Sequence, residues 1–198
     1  MSSPQIKPEA IYDSLYIGHK LSTFLDAFQE REIHLFSYFS SILSLYSGNT
    51  PDFWNYKYIP FECYPFSDDL DLVIKNQIRN GWFEKITDGL NCYYKLSAKG
   101  SGKLDDFNKL NIFKPRKKFL DASCTTSILI PYRDTIKALT RDPAISNATA
   151  LESKTWLDQD FSSNRFTELS KAMGVPINDL TVTSLGWIQY LLIEKGMQ

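Results

Sequence analysis

Two histidines, three cysteines and several aspartate clusters are the side chains of this 198-residue sequence best equipped to bind a metal or run catalysis. A catalytic thiol needs a histidine base and a group to orient it. Cys124-Thr125-Thr126-Ser127 is rich in nucleophiles, but only His19 and His34 could serve it, and neither has a cysteine, serine or acid at motif spacing. His34 lies in an apolar run, where a satisfied interior histidine is the expected role. Cys63, Cys92 and Cys124 are far apart, odd in number and without a CxxC pair, so a zinc site would need scattered ligands. They read as free, mostly buried thiols of a reducing cytoplasm.

Ala98-Lys99-Gly100-Ser101-Gly102-Lys103-Leu104 resembles the end of a phosphate-binding loop, but the pattern needs glycine where Ser97 stands and Ser or Thr where Leu104 stands. The acidic clusters Asp68-Asp69-Leu70-Asp71, Asp105-Asp106 and Asp158-Gln159-Asp160 share only composition with metal-dependent nucleases. Asp68 and Asp69 have a simpler role as partners of a helix dipole, and the others read as solvated faces. The residues therefore predict no enzyme, no cofactor and no metal.

Binding is the remaining chemistry. With 22 basic and 23 acidic side chains the net charge is −1, without the basic excess that neutralises many phosphates. Local basic contacts to nucleic acid or an acidic partner remain open. The candidates are Lys85 and Lys95 on an expected hairpin, Lys99 and Lys103 after it, and the run Lys114, Arg116, Lys117 and Lys118. The helix positioned to read a groove offers Lys75, Asn76, Gln77 and Arg79, behind an acidic start that opposes docking on DNA. Aromatic residues make up 14% of the chain. Large aromatics anchor interfaces as well as cores, and Phe36, Phe39, Trp54, Trp82 and Trp187 are the candidate partner contacts, each equally open to a core role.

The elements that must position these residues read as mainly α with a small β-hairpin. Residues 1–9 form an expected flexible lead-in. Apolar spacing predicts a helix from Ile11 to about Phe28 and another over Ile33–Tyr46, apolar nearly all round and so buried centrally or against another chain. A short strand is expected around Tyr56–Phe61. Ser67 is an N-cap, Leu70, Val73, Ile74 and Ile78 form one stripe, and Asn80-Gly81 stops the helix. Trp82–Ile86 and Cys92–Leu96 flank the turn Asp88-Gly89-Leu90-Asn91 as a hairpin, and Ser97 caps a helix weakened at its start by Gly100 and Gly102. Helix, glycine stop, hairpin and helix follow the order of a winged-helix C-terminal half.

Helices are expected over Phe119–Ile130, Tyr132–Leu139 after Pro131, Phe166–Met173 before Gly174-Val175-Pro176, and Asp179 through Ile193 towards Lys195. The charged stretch Lys109–Lys118 reads as the seam between a 10–110 region, holding N-terminal helices and a winged-helix module, and a helical 111–198 region. With no signal-peptide pattern and no apolar run of membrane-spanning length, a cytoplasmic chain is expected, in which the Asn147-Ala148-Thr149 sequon carries no meaning.

Three runs carry a family resemblance: Ser14–Tyr46, Tyr64–Glu84 and Phe119–Pro143. Their pattern of apolar and aromatic positions resembles the small middle component of three-component bacterial ABC-ATPase systems, including Lamassu-type antiphage and antiplasmid defence complexes. The resemblance implies a non-catalytic adaptor that joins an SMC-like coiled-coil ABC ATPase to a nuclease or other effector, reaching DNA through the complex. No functional motif is sharp enough to carry roles across residue by residue. The alternative from the residues is a stand-alone homodimeric winged-helix transcription regulator, paired through the C-terminal helix.

Overall fold

The computed structural model describes residues 5–62, 64–151, 155–174 and 179–193; the first four residues, Cys63, Val175-Pro176 and Lys195 lie outside them. Among the described residues the fold is mainly helical, with two small antiparallel sheets of two strands each.

Pro8 opens α1 (Pro8–Leu21) in the first turn, where its missing N–H is no loss. Residues 5–7 before it are fastened: the Gln5 amide and the Lys7 ammonium both reach Asp69, each at 2.8 Å. α1 stops at Leu21, short of the expected Phe28, because Phe28 pairs its backbone with another segment. Its N–H donates to the Tyr94 carbonyl at 3.0 Å and its carbonyl accepts from the Tyr94 N–H at 2.7 Å.

α2 (Glu30–Tyr46) follows, with the Gln29 amide capped by Glu32 at 2.7 Å. Its all-round apolar character is explained by a central position, packed by α1 and by the later helices α5 (Lys114–Leu129), α6 (Tyr132–Leu139) and α8 (Gln159–Met173). Four serines on α2 are buried as well, and their hydroxyls are satisfied internally. Ser40, for example, bonds Ser123 of α5 at 2.7 Å, and Ser41 accepts from Gln159 of α8 at 2.6 Å.

Where a lone strand was expected there is a hairpin, β1 (Ile59–Phe61) with β2 (Tyr64–Phe66), in which Pro60 faces Pro65. Two prolines remove ladder donors and so mask the strand signal. α3 (Asp68–Arg79) ends at Asn80, and Gly81 takes the left-handed φ of 69° that the helix stop requires. β3 (Phe83–Asp88) pairs with β4 (Asn91–Leu96) through a two-residue loop whose only positive φ is at Gly89, the pattern of a type II′ turn. The Ser97 hydroxyl then accepts from the Gly100 N–H at 3.0 Å and caps α4 (Ala98–Asn108).

The expected seam at Lys109–Lys118 is instead half helix, since α5 begins at Lys114. A short helix not expected from sequence, α7 (Pro143–Ala150), is capped by Asp142. α8 starts seven residues earlier than expected, at Gln159 after the capping Asp158. α9 (Leu180–Ile193) closes the described chain, against α5, α6 and α8. One apolar cluster runs from Ala10 to Leu191, so packing continues across residues 110 and 111. Among the described residues no helix is long and apolar enough to cross a membrane.

Candidate functional site

The aromatic candidates go inward. Phe36 and Phe39 sit on central α2 and are fully buried, and Trp187 on α9 is packed against Phe166 of α8. Trp54 lies under the Arg116 guanidinium, 3.9 Å from ring centroid to carbon. These four are core, and the physical reason is the same for each: α2 and the elements around it absorb the aromatic surplus that composition alone leaves open to an interface. Trp82 alone of the five keeps partial exposure, with its backbone held by Gln77 and Ser97.

The basic run is also divided. Arg116 points into the protein, its Nε donating to Asp13 Oδ1 at 3.0 Å and a second nitrogen to Oδ2, and it is 2% exposed. Tyr56 donates to the same carboxylate at 2.6 Å, and Ser37 links Tyr56 to Tyr58. A paired, fully hydrogen-bonded arginine in the interior is a structural clamp between α1 and α5, unable to meet DNA or an acidic partner from this conformation. Lys114, Lys117 and Lys118 stay exposed on the first turns of α5; Lys85 and Lys95 are exposed on the hairpin, and Lys99 and Lys103 on α4. Lys99 donates to the Asn80 carbonyl at 2.9 Å, where a cation complements the end of α3, and Lys103 reaches Asp106 at 3.5 Å.

α3 carries little free positive charge. Lys75 is paired with Asp71 at 2.8 Å, and the Asp71 carboxyl interacts electrostatically with that of Glu30 at the start of α2. Burial raises both carboxyls, and their contact separates them: Asp71 ends above the usual carboxylate range, while Glu30, facing His34 at 3.9 Å, ends below it. His34 Nδ1 accepts from the Ser67 N–H at 3.2 Å and holds the start of α3, but its buried Nε2 has no hydrogen-bond partner among the described residues, so the interior histidine is only half satisfied. Cys124 is buried, and burial pushes its thiol up to about 12, far from a nucleophile at neutral pH. Among the described residues no group of three or more His, Cys, Asp or Glu is placed to hold a metal.

Two surfaces remain. The first is the outward hairpin. Register places Ile86 opposite Tyr93 and Glu84 opposite Lys95 on one face, and Leu90 at the tip is fully exposed. An apolar pair flanked by one acid and one base suits a protein surface better than a phosphate backbone.

The second is a cleft of about 530 Å³ between the start of α3 and the start of α8, lined by Lys7, Pro51, Asp52, residues 55–58, Ser67–Asp69 and Trp156–Asp160. Local sequence marks Asp158-Gln159-Asp160 only as a solvated face and gives no role to Trp156, which is 43% exposed beside it. The available signal is a tryptophan close to two acids; that these meet Asp68 and Asp69 of α3 has no local sequence mark. No family model, no curated protein and no solved structure matches this chain.

Proposed function

We propose that this chain is a non-catalytic, cytoplasmic adaptor built on a winged-helix arrangement, docking on proteins and not reading DNA sequence. Support for the arrangement comes from element order: α1, the bridging residue Phe28, α2, the inserted β1–β2 hairpin, α3, then the β3–β4 hairpin, with Phe28 adding a third, one-residue strand at Tyr94. In this reading α3 is the helix that would enter a groove and β3–β4 is the wing.

The observation that carries the protein-docking reading is the electrostatics of α3. Its first turn holds Asp68, Asp69 and Asp71, its Lys75 is spent on Asp71, and its N-terminal end faces a cleft with further carboxylates. A polyanionic groove is repelled by that end. The exposed lysines of the wing and of α4 leave room for weak contact with a DNA backbone. The partners in this reading, an SMC-like coiled-coil ABC ATPase and an effector such as a nuclease, come from the resemblance carried by Ser14–Tyr46, Tyr64–Glu84 and Phe119–Pro143.

Co-expression with the neighbouring genes, followed by the mass of the tagged eluate, tests the reading. A companion titration with duplex DNA at two salt concentrations tests the regulator alternative. Weak, sequence-blind binding is expected; a homodimer holding a palindrome with a steep salt slope would replace the adaptor.

A further inference from the structure

The acidic cleft at the start of α3, which so far counts only as negative charge, has a lining of its own to account for. Five aspartates line it, Asp52, Asp68, Asp69, Asp158 and Asp160, against two lysines, Lys7 and Lys57, leaving three negative charges in excess. Two of the five are committed. Asp69 takes Lys7 and the Gln5 amide, and Asp158 accepts from the Phe161 N–H at 3.1 Å as the cap of α8. Asp52, Asp68 and Asp160 are exposed and have no ion pair among the described residues.

The walls already hold ammonium groups of the chain itself. Lys7 Nζ lies 2.8 Å from Asp69 Oδ2 and also donates to the Asn55 carbonyl. Lys57 Nζ lies 5.7 Å from the Trp156 ring centroid, within the range of cation–π attraction. An independent feature is Ser67. It lines the cleft, is 1% exposed, and its hydroxyl finds no hydrogen-bond partner among the described residues, although it stands where a helix cap would use it. A buried hydroxyl without a partner is rare and suits a site completed by a donor from outside.

We infer that this cleft receives the ammonium or guanidinium end of a lysine or arginine side chain from a basic segment of a partner protein. The partner's existence rests on the adaptor reading; the chemistry of the cleft does not. An anion is disfavoured although two helices start here, because aspartates already occupy both N-termini. A long side chain fits better than a free polyamine because Asp52, Asp68, Asp160 and Trp156 are all solvent-exposed at the cleft and open to an approaching chain. A peptide backbone can run there while the side chain enters, as Lys57 does now.

The test titrates the full chain with an end-blocked Lys/Arg peptide, the same peptide with glutamate at its basic positions, and spermidine. Tryptophan fluorescence and calorimetry follow binding at low and at physiological salt. The expected result is saturable binding of the basic peptide alone, with a fluorescence change lost in Trp156→Phe. Asp68→Asn combined with Asp160→Asn should weaken binding by about tenfold or more, with a cooperative melt retained. Ser67→Ala should weaken it less.

Absence of saturable binding, or binding that survives the double aspartate variant, would overturn the inference. Spermidine binding as tightly as the peptide would overturn the assignment to a protein side chain. Failure of the adaptor reading shows separately, as the absence of a complex with the ATPase while the peptide still binds.

Discussion

Arg116 on α5 holds Asp13 on α1 across 103 residues of chain, with Nε 3.0 Å from Oδ1 and both side chains removed from solvent. The guanidinium also donates to the Phe53 carbonyl at 2.8 Å and covers the Trp54 ring, so one side chain ties α1, the 53–56 segment and α5 together. Removing either partner strands a buried charge. Asp13→Leu or Arg116→Met alone should cost about 3–5 kcal/mol by urea denaturation. The double variant Asp13→Leu/Arg116→Met should cost clearly less than the sum of its single changes. Additive losses would show that the pair is not a unit.

Core and β3–β4 hairpin should separate in the same assay. Phe36→Ala or Phe39→Ala removes a fully buried ring from the central helix, with an expected loss of about 3–5 kcal/mol. Leu90→Asp at the exposed hairpin tip should change stability by no more than about 0.5 kcal/mol. A large loss at Leu90 would mean that the tip is packed.

Two glycines of α4 should respond with opposite signs. A Cβ at Gly100 would come within 2.3 Å of the Trp82 carbonyl oxygen, a backbone atom fixed by its bond from the Ser97 N–H. At Gly102 it would meet nothing within 4 Å. Gly102→Ala should therefore stabilise by up to about 1 kcal/mol through helix propensity. Gly100→Ala should destabilise by about 1–3 kcal/mol, as overpacking does. Thermal melts of the two variants decide it.

Asp142 sets a pH dependence. Burial pushes its carboxyl up to about 6, against bonds from Ser162, Tyr38 and the Ala144 amide that favour the ion. Unfolded, the group titrates near 3.9 (about the free aspartate value). The folded state thus binds the proton more tightly, and the stability this adds is fully present below about 3.9 and lost as pH rises through about 6. Between pH 5 and pH 7 the wild type should lose stability relative to Asp142→Asn, which keeps the cap without the charge. Parallel pH profiles for the two proteins would contradict this.

What could be read from sequence follows where the signals are local. α3, the β3–β4 hairpin and α4 each carry their own punctuation in Ser67, Gly81, Gly89 and Ser97, and all three form where expected. β1 and β2 hide behind Pro60 and Pro65. The start of α5 runs against the dipole rule, with Lys114, Arg116, Lys117 and Lys118 in its first turns and no acid. That start is tolerated because Arg116 is neutralised by an aspartate on another helix, which no window of sequence reveals. The fate of the aromatics was undecidable from composition for a similar reason: whether Phe36 and Trp187 face a partner or a core depends on which helices cover them. The acidic cleft joins residues about 90 positions apart through tertiary packing, so only the exposed Trp156 beside Asp158 hinted at it.

The mass of the complex recovered when the tagged full chain is co-expressed with its two neighbouring genes tests the adaptor claim most directly. The account predicts a stable assembly containing a coiled-coil ATPase, weakened when Ile86→Asp and Leu90→Asp are introduced together on the β3–β4 hairpin while the chain stays folded. Recovery of the chain as a homodimer free of the ATPase, binding its own promoter with a steep dependence on salt, would contradict it.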